Sequence, residues 1–237
     1  GRKEEKMRKL ILCLLLLPAL LLSACAQPDA PPPPEQQPLP PLFPEVPMPN
    51  ELKTAEKCYL AGLHFYQYRD PNADPREYMK AALKIEPDYI PALTFLGELY
   101  IGDFLFAEAK EVLKKAEKAS NTYNITHETG KIHYLLGLAC ENLREDKEAY
   151  DHYRRAAWNE AYVSPAMTRA SMLDSKRGDY ASALKCAKEA IAHNIYNYTA
   201  IPLAAIAEYK NGDRKAAKKL LSEHQCFNPL NHFAKYA

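Results

Sequence analysis

Three kinds of side chain in this sequence have the types to do chemistry. His127, His133, His224 and His232 could bind a metal ion, Cys58, Cys140, Cys186 and Cys226 could pair or act as nucleophiles, and carboxylate pairs such as Glu108 with Glu111 could share a proton. Their spacing argues against each use. The histidines do not assemble ligands on one helix face, so they read as surface or packing residues, and no metal or cofactor is expected. Glu108 and Glu111 lie among lysines, where solvated i,i+3 and i,i+4 pairing accounts for them. No Gly-rich phosphate loop, Gly-x-Ser-x-Gly elbow or His-Glu-x-x-His pair occurs. The chain is therefore not expected to be an enzyme.

The elements that would position such residues are helices. Glycine is scarce among 237 residues, whereas Ala, Leu, Lys, Glu and Tyr are plentiful, and the length suits one ordinary domain with appendages. The formal charge is +1, and removing residues 1–25 takes five Lys/Arg and two Asp/Glu, leaving about −2. No basic footprint for nucleic acid is left.

Residues 1–50 divide into three devices. Arg2, Lys3, Lys6, Arg8 and Lys9 precede a leucine-rich run from Leu10 to Leu22, interrupted by Pro18. The run is short of the roughly 20 residues a bilayer-spanning helix needs, and a basic stretch before a short apolar one has the form of a secretory signal. An uncleaved anchor helix is the alternative reading. Leu22-Ser23-Ala24-Cys25 resembles a bacterial lipobox, which implies removal of residues 1–24 and lipidation of Cys25. Two or three acyl chains would then hold the protein at the membrane. Ala26 follows, with no Asp there, which in an enterobacterium-like sorting system implies the outer membrane. Residues 25–50 read as lipidated cysteine and linker. The eleven prolines from Pro28 to Pro49 favour polyproline II, a semi-rigid spacer of on the order of 70 Å when fully extended.

Beyond residue 50 the dominant signal is repetition. Ala82, Ala116, Ala156 and Ala190 recur at 34, 40 and 34, and Ala109, Ala149, Ala183 and Ala217 at 40, 34 and 34. Both series share one six-residue insertion, around Ser120 to Glu128. Leu96-Gly97 with Tyr100, then Ala109, Leu113 and Ala116, resembles the tetratricopeptide repeat, as does Leu136-Gly137 with Cys140, then Ala149, Tyr153 and Ala156. Gly178-Asp179 and Gly212-Asp213 mark the turns inside the last two hairpins. The resemblance implies an all-α fold over residues 51–237: a right-handed solenoid of five hairpins, near 54–88, 89–124, 130–163, 164–197 and 198–230, with a concave inner surface. The first unit is degenerate, because Asp70 to Pro75 makes a longer turn. In this register Cys140 takes a core position, and Cys186 shares a face with Ala183 and Ala190. Both read as packing residues, and free thiols and disulfides stay equal alternatives for the four cysteines.

Ala157-Trp158-Asn159, Arg177-Gly178-Asp179-Tyr180 and Asn228-Pro229-Leu230-Asn231 are similar to phrases of a repeat segment that follows an uncharacterised, carbohydrate-enzyme-like domain in certain bacterial proteins. The large domain is lacking, so this resemblance implies a fold and a link to glycan use, and transfers no active site.

The first helix of each hairpin should line the groove. Equivalent positions hold Glu98, Leu138, Met172 and Ile206, with Tyr134, Asn142, Thr168, Lys176, Tyr209 and Lys210 nearby. Such a mixed stripe suits an extended peptide or partner helix. The expected function is a non-enzymatic scaffold in the bacterial cell envelope, lipid-anchored at Cys25 and binding an envelope protein or peptide; a pilus or outer-membrane assembly lipoprotein is one variant. The alternative is an accessory to an envelope carbohydrate-processing system with weak glycan binding.

Overall fold

The computed structural model describes residues 46–122 and 128–237. The expected signal, Cys25 and the proline tract up to Glu45 lie outside these residues, as does most of the expected insertion. The folded unit starts at Val46. A 3-10 turn, Pro49–Glu51, precedes eleven helices: α1 Ala55–Tyr68, α2 Pro75–Ile85, α3 Ile90–Gly102, α4 Phe106–Thr122, α5 Thr129–Asn142, α6 Asp146–Ala156, α7 Glu160–Lys176, α8 Tyr180–His193, α9 Ala200–Lys210, α10 Arg214–Phe227 and α11 His232–Tyr236. Paired in order, the first ten make the five hairpins that the repeat predicts.

Val46 to Asn50 pack with the first hairpin. Val46 joins its core, the Tyr78 hydroxyl donates to the Pro47 carbonyl at 3.1 Å, and the Cys58 thiol points at the Pro49 carbonyl. The folded unit therefore starts five residues before the sequence-based boundary at residue 51.

Local chemistry explains where the helices begin. Asp74, Asn159, Asp179 and Asp213 accept backbone N–H groups of the first turns of α2, α7, α8 and α10 at 2.8–3.0 Å, relieving donors that have no partner within the helix. The Asn159 cap starts α7 at Glu160, so the fourth hairpin begins four residues before its expected start and carries Pro165 inside the helix.

One bond recurs at the end of every first helix. The N–H of Asp70, Leu105, Glu145, Asp179 and Asp213 donates to the carbonyl five residues back, at 2.8–3.0 Å. This is the Schellman closure, and it puts the preceding residue in the left-handed region. That residue is Gly178 and Gly212 in the last two hairpins, at φ 83° and 98°, but Arg69, Phe104 and Arg144 in the first three.

Packing follows the alanine series. Ala82, Ala109, Ala116, Ala149, Ala156, Ala183 and Ala190 have no exposed surface, so each second helix presses closely against its neighbours. At the crossing of α5 and α6, Gly137 faces the Tyr153 ring, and at that of α3 and α4, Gly97 faces Leu113. Buried clusters run from hairpin to hairpin, with Ala92, Phe95 and Leu96 of α3 closing the first and Val163, Ala166 and Met167 of α7 the third. Successive first helices, α1 with α3, α3 with α5, α5 with α7 and α7 with α9, also touch one another. They form one continuous layer, the face expected to bind.

Candidate functional site

The layer of first helices is periodic in burial as well as in sequence. Glu98, Leu138, Met172 and Ile206, spaced at 40, 34 and 34, are all half-buried. A side chain in that condition is held by its neighbours yet still presents a surface.

The expected residues part company from there. Asn142, Met172 and Lys176 line one pocket of about 340 Å³ with Glu141 and Arg144, between the third and fourth hairpins. Lys176 reaches across that boundary to Asp146 at 2.5 Å, and Asn142 donates to the Leu138 carbonyl of its own helix at 2.8 Å. Tyr134 is half-buried, with its ring 5.6 Å from that of Tyr162. Lys210 is exposed. Tyr209 lines a pocket with Arg214, Ala217 and Leu221 of α10, at the end of the solenoid and apart from Met172.

Thr168 is the correction. It is buried, donates to the Ser164 carbonyl at 2.8 Å and accepts from the Asn197 side chain at 2.8 Å. Asn197 also donates to the Ser164 hydroxyl, while its carbonyl oxygen accepts the N–H groups of Thr199 and Ala200 at the start of α9. Thr168 thus fastens the fourth hairpin to the fifth. A position facing the right way on a helix offers no contact to a ligand when the next hairpin's loop covers it.

The centre of the layer is a cluster of which the register had singled out only Glu98. Lys131 of α5 makes an ion pair with Glu98 of α3 at 2.7 Å and acts electrostatically on Tyr59 of α1 and Tyr162 of α7. Four consecutive first helices therefore contribute to one group. Burial works to lower the Lys131 ammonium, but the Glu98 carboxylate outweighs it and holds the pKa above its ordinary value. Burial raises the Tyr59 and Tyr162 phenols, so both stay protonated and able to donate. Alongside, Glu141 accepts from the Tyr153 hydroxyl at 2.5 Å and pairs with Arg169 at 3.5 Å. Lys131 lies three residues from Tyr134, and Glu141 and Arg169 are adjacent to Asn142 and Thr168, so the i,i+3 rule applied to the expected residues would have reached Lys131. The arrangement can stack, donate and accept hydrogen bonds along an extended strip, which is recognition chemistry.

The four cysteines are free thiols: Cys58, Cys140 and Cys186 are buried and Cys226 is exposed. Burial pushes the Cys140 thiol up to about 12 and the Cys186 thiol up to about 11, which makes both poor nucleophiles. His133 and His224 are buried, and the His224 ring bonds to the Asn231 side chain at 2.8 Å. No helix among the described residues is long and apolar enough to cross a membrane.

No family model matches the sequence, and no curated protein does. Solved structures do match. YrrB, a TPR protein with an unusual peptide-binding site, is 18% identical with a TM-score of 0.63, covering 78% of this chain and 91% of that one. PilF of Pseudomonas aeruginosa is 15% identical with a TM-score of 0.67, covering 78% and 81%. PilW, a widely conserved type IV pilus biogenesis factor, is 18% identical with a TM-score of 0.61, covering 75% and 81%. At these identities the likeness speaks for architecture alone. Together with the hairpin periodicity, it makes this chain's fold a tetratricopeptide-repeat solenoid.

Proposed function

We propose that this protein is a non-enzymatic adaptor that binds an extended segment of a protein partner along its layer of first helices. The observation that carries the reading is the convergence of Tyr59, Glu98, Lys131 and Tyr162, one from each of four successive hairpins, on a single strip. A strip of that length matches a peptide laid across several repeats, with main-chain groups meeting the phenols and side chains meeting the half-buried series. YrrB's peptide-binding site supports a peptide ligand for this fold.

The finer reading places the solenoid outside the cytoplasm in a bacterial cell envelope, tethered through lipidated Cys25, at the outer membrane where one exists. Its support is the order of apolar run, lipobox-like Leu22 to Cys25 and proline tract. The tether confines the strip to a shell near the membrane and raises the local concentration of a membrane partner.

The test is site-specific photocrosslinking in the native cell from Tyr134, followed by mass spectrometry, with Glu111 of α4 as an outer-surface control. One partner captured from Tyr134, and lost on Lys131→Glu, is the expected result. Capture from Glu111 alone would overturn the strip as the interface, and reproducible saccharide binding in calorimetry would favour the glycan accessory. Cys25→Ser should release the protein from membranes and abolish the acyl mass, and unchanged retention would remove the anchor.

A further inference from the structure

Two histidines that share no sequence motif meet where the second and third hairpins join. His133 of α5 and His152 of α6 are both only 6% exposed, and their Nδ1 atoms lie 3.1 Å apart. Glu117 of α4 places Oε1 3.7 Å from His133 Nδ1, and the three ligand atoms all fall within 4.8 Å of one another. An ion bound tetrahedrally with bonds of 2.0–2.1 Å separates its ligands by about 3.3 Å. These side chains already stand near that spacing.

We propose that Glu117, His133 and His152 form a site for one divalent transition-metal ion of the zinc type, bound through the two Nδ1 atoms and the carboxylate.

Four observations support the assignment. Burial pushes the His133 imidazole down to about 4, with His152 and Arg155 adding to the effect, and burial also lowers His152, so both rings are neutral at pH 7 and need shed no proton to bind. The other nitrogen of His152, Nε2, faces Glu148 Oε1 at 3.8 Å, the outer carboxylate that commonly orients a metal-bound imidazole. A pocket of about 430 Å³ has His133, Thr129, Arg155 and Trp158 in its walls, so one of the three ligand residues is reached from an open cavity. The donors come from three helices on the two sides of the one junction where the 34-residue period is broken, so the ion would clip together the least regular seam of the solenoid.

Two neighbours bear on the choice. Arg155 lies 3.4 Å from Glu117 Oε1 and is its standing counter-ion, so the metal must share or displace that guanidinium. Cys140, Glu148 and His152 form a second close trio, but Glu148 is already held by Lys110 at 2.8 Å and Lys114 at 3.0 Å, and the buried Cys140 keeps its proton. The imidazole pair with Glu117 is the better site for a soft-to-borderline cation.

The experiment titrates Co2+ into the tagless, chelator-treated full chain, reading visible absorption, then adds Zn2+ and records thermal unfolding. One equivalent of Co2+ giving four-coordinate bands, displaced by Zn2+ with a rise in Tm, is expected. His152→Gln and Glu117→Gln should each weaken binding at least tenfold, whereas His193→Gln, at a surface pair with Glu160, should leave it unchanged. Absence of saturable Co2+ binding overturns the proposal. Should His152→Gln fail to fold, Glu117→Gln decides alone, because wild-type affinity in that variant also overturns it.

Discussion

A Cβ on Gly137 would stand 2.5 Å from Cε1 of the Tyr153 ring. The ring has no room to withdraw: Tyr153 is fully buried, and its hydroxyl is bonded to Glu141. Gly137→Ala should therefore destabilise the protein by about 1–2 kcal/mol, an overpacking cost at the upper end of the usual range exceeding the roughly 1 kcal/mol gained from helix propensity. Gly102→Ala is the control, since nothing lies within 4 Å of a Cβ there, and it should be neutral or slightly stabilising. Urea unfolding of the two variants checks the pair.

Asn197 makes four side-chain bonds in a loop, to Ser164, Thr168 and the N–H groups of Thr199 and Ala200. Asn197→Ala removes both the acceptor of the Thr199 and Ala200 N–H groups and the lock between the fourth and fifth hairpins. The expected loss is about 2–3 kcal/mol. Amide exchange should speed up in α9 and α10 and stay unchanged in α1 to α4; uniform acceleration would show that Asn197 does not act locally.

The left-handed turn positions make opposite predictions for the same residue type. Gly178→Ala puts a Cβ at φ 83° and should cost about 1 kcal/mol, whereas Arg144→Gly relieves a side chain at φ 66° and should be neutral or mildly stabilising. Thermal unfolding of both variants distinguishes backbone strain from loss of side-chain contacts.

Acid should loosen the metal-free protein in a defined window. The folded pKa of His133, about 4, lies below its ordinary 6.5, so the unfolded chain takes up the proton first. The stability this residue provides is complete above about pH 6.5 and is lost as pH falls to about 4, by roughly 2–3 kcal/mol. The charged groups facing the pair are Glu117, Glu148, Arg155 and Lys114, and the two carboxylates temper the shift at His152. His133→Gln should flatten this part of the stability profile. Glu148, held down to about 2 by the Lys110 and Lys114 ammonium groups, titrates below it and leaves a separate acid limb in the variant.

The repeat itself was plainly written in the sequence, because Ala82 to Ala190 and Ala109 to Ala217 must stay small wherever helices approach. Gly178 and Gly212 announced two turns for the same reason of backbone geometry. Phe104 and Arg144 did not, since a residue that merely tolerates a left-handed conformation leaves no trace in its type. The candidate face was half legible. Helical register located Asn142, Met172 and Lys176 on one pocket, but it could not tell that the loop at Asn197 covers Thr168, or that Lys131 is drawn into the strip by Glu98. The Glu117, His133 and His152 group was silent, because its members lie on three helices, and only tertiary packing converts separations of 16 and 19 residues into a few ångströms.

The last hairpin is finished differently from the others. α10 buries only Ala217 and His224, and its last residue Phe227, like Leu230 and Tyr236 beyond it, is mostly exposed, with the five-residue α11 covering little of that end. In a linear array each unit borrows its stability from the units beside it, and a helix that buries as little as α10 borrows least. Among the described helices α10 should accordingly be among the first to open. Opening would travel inward until it met the Asn197 fastening, leaving the strip around Lys131 among the last parts to lose its shape.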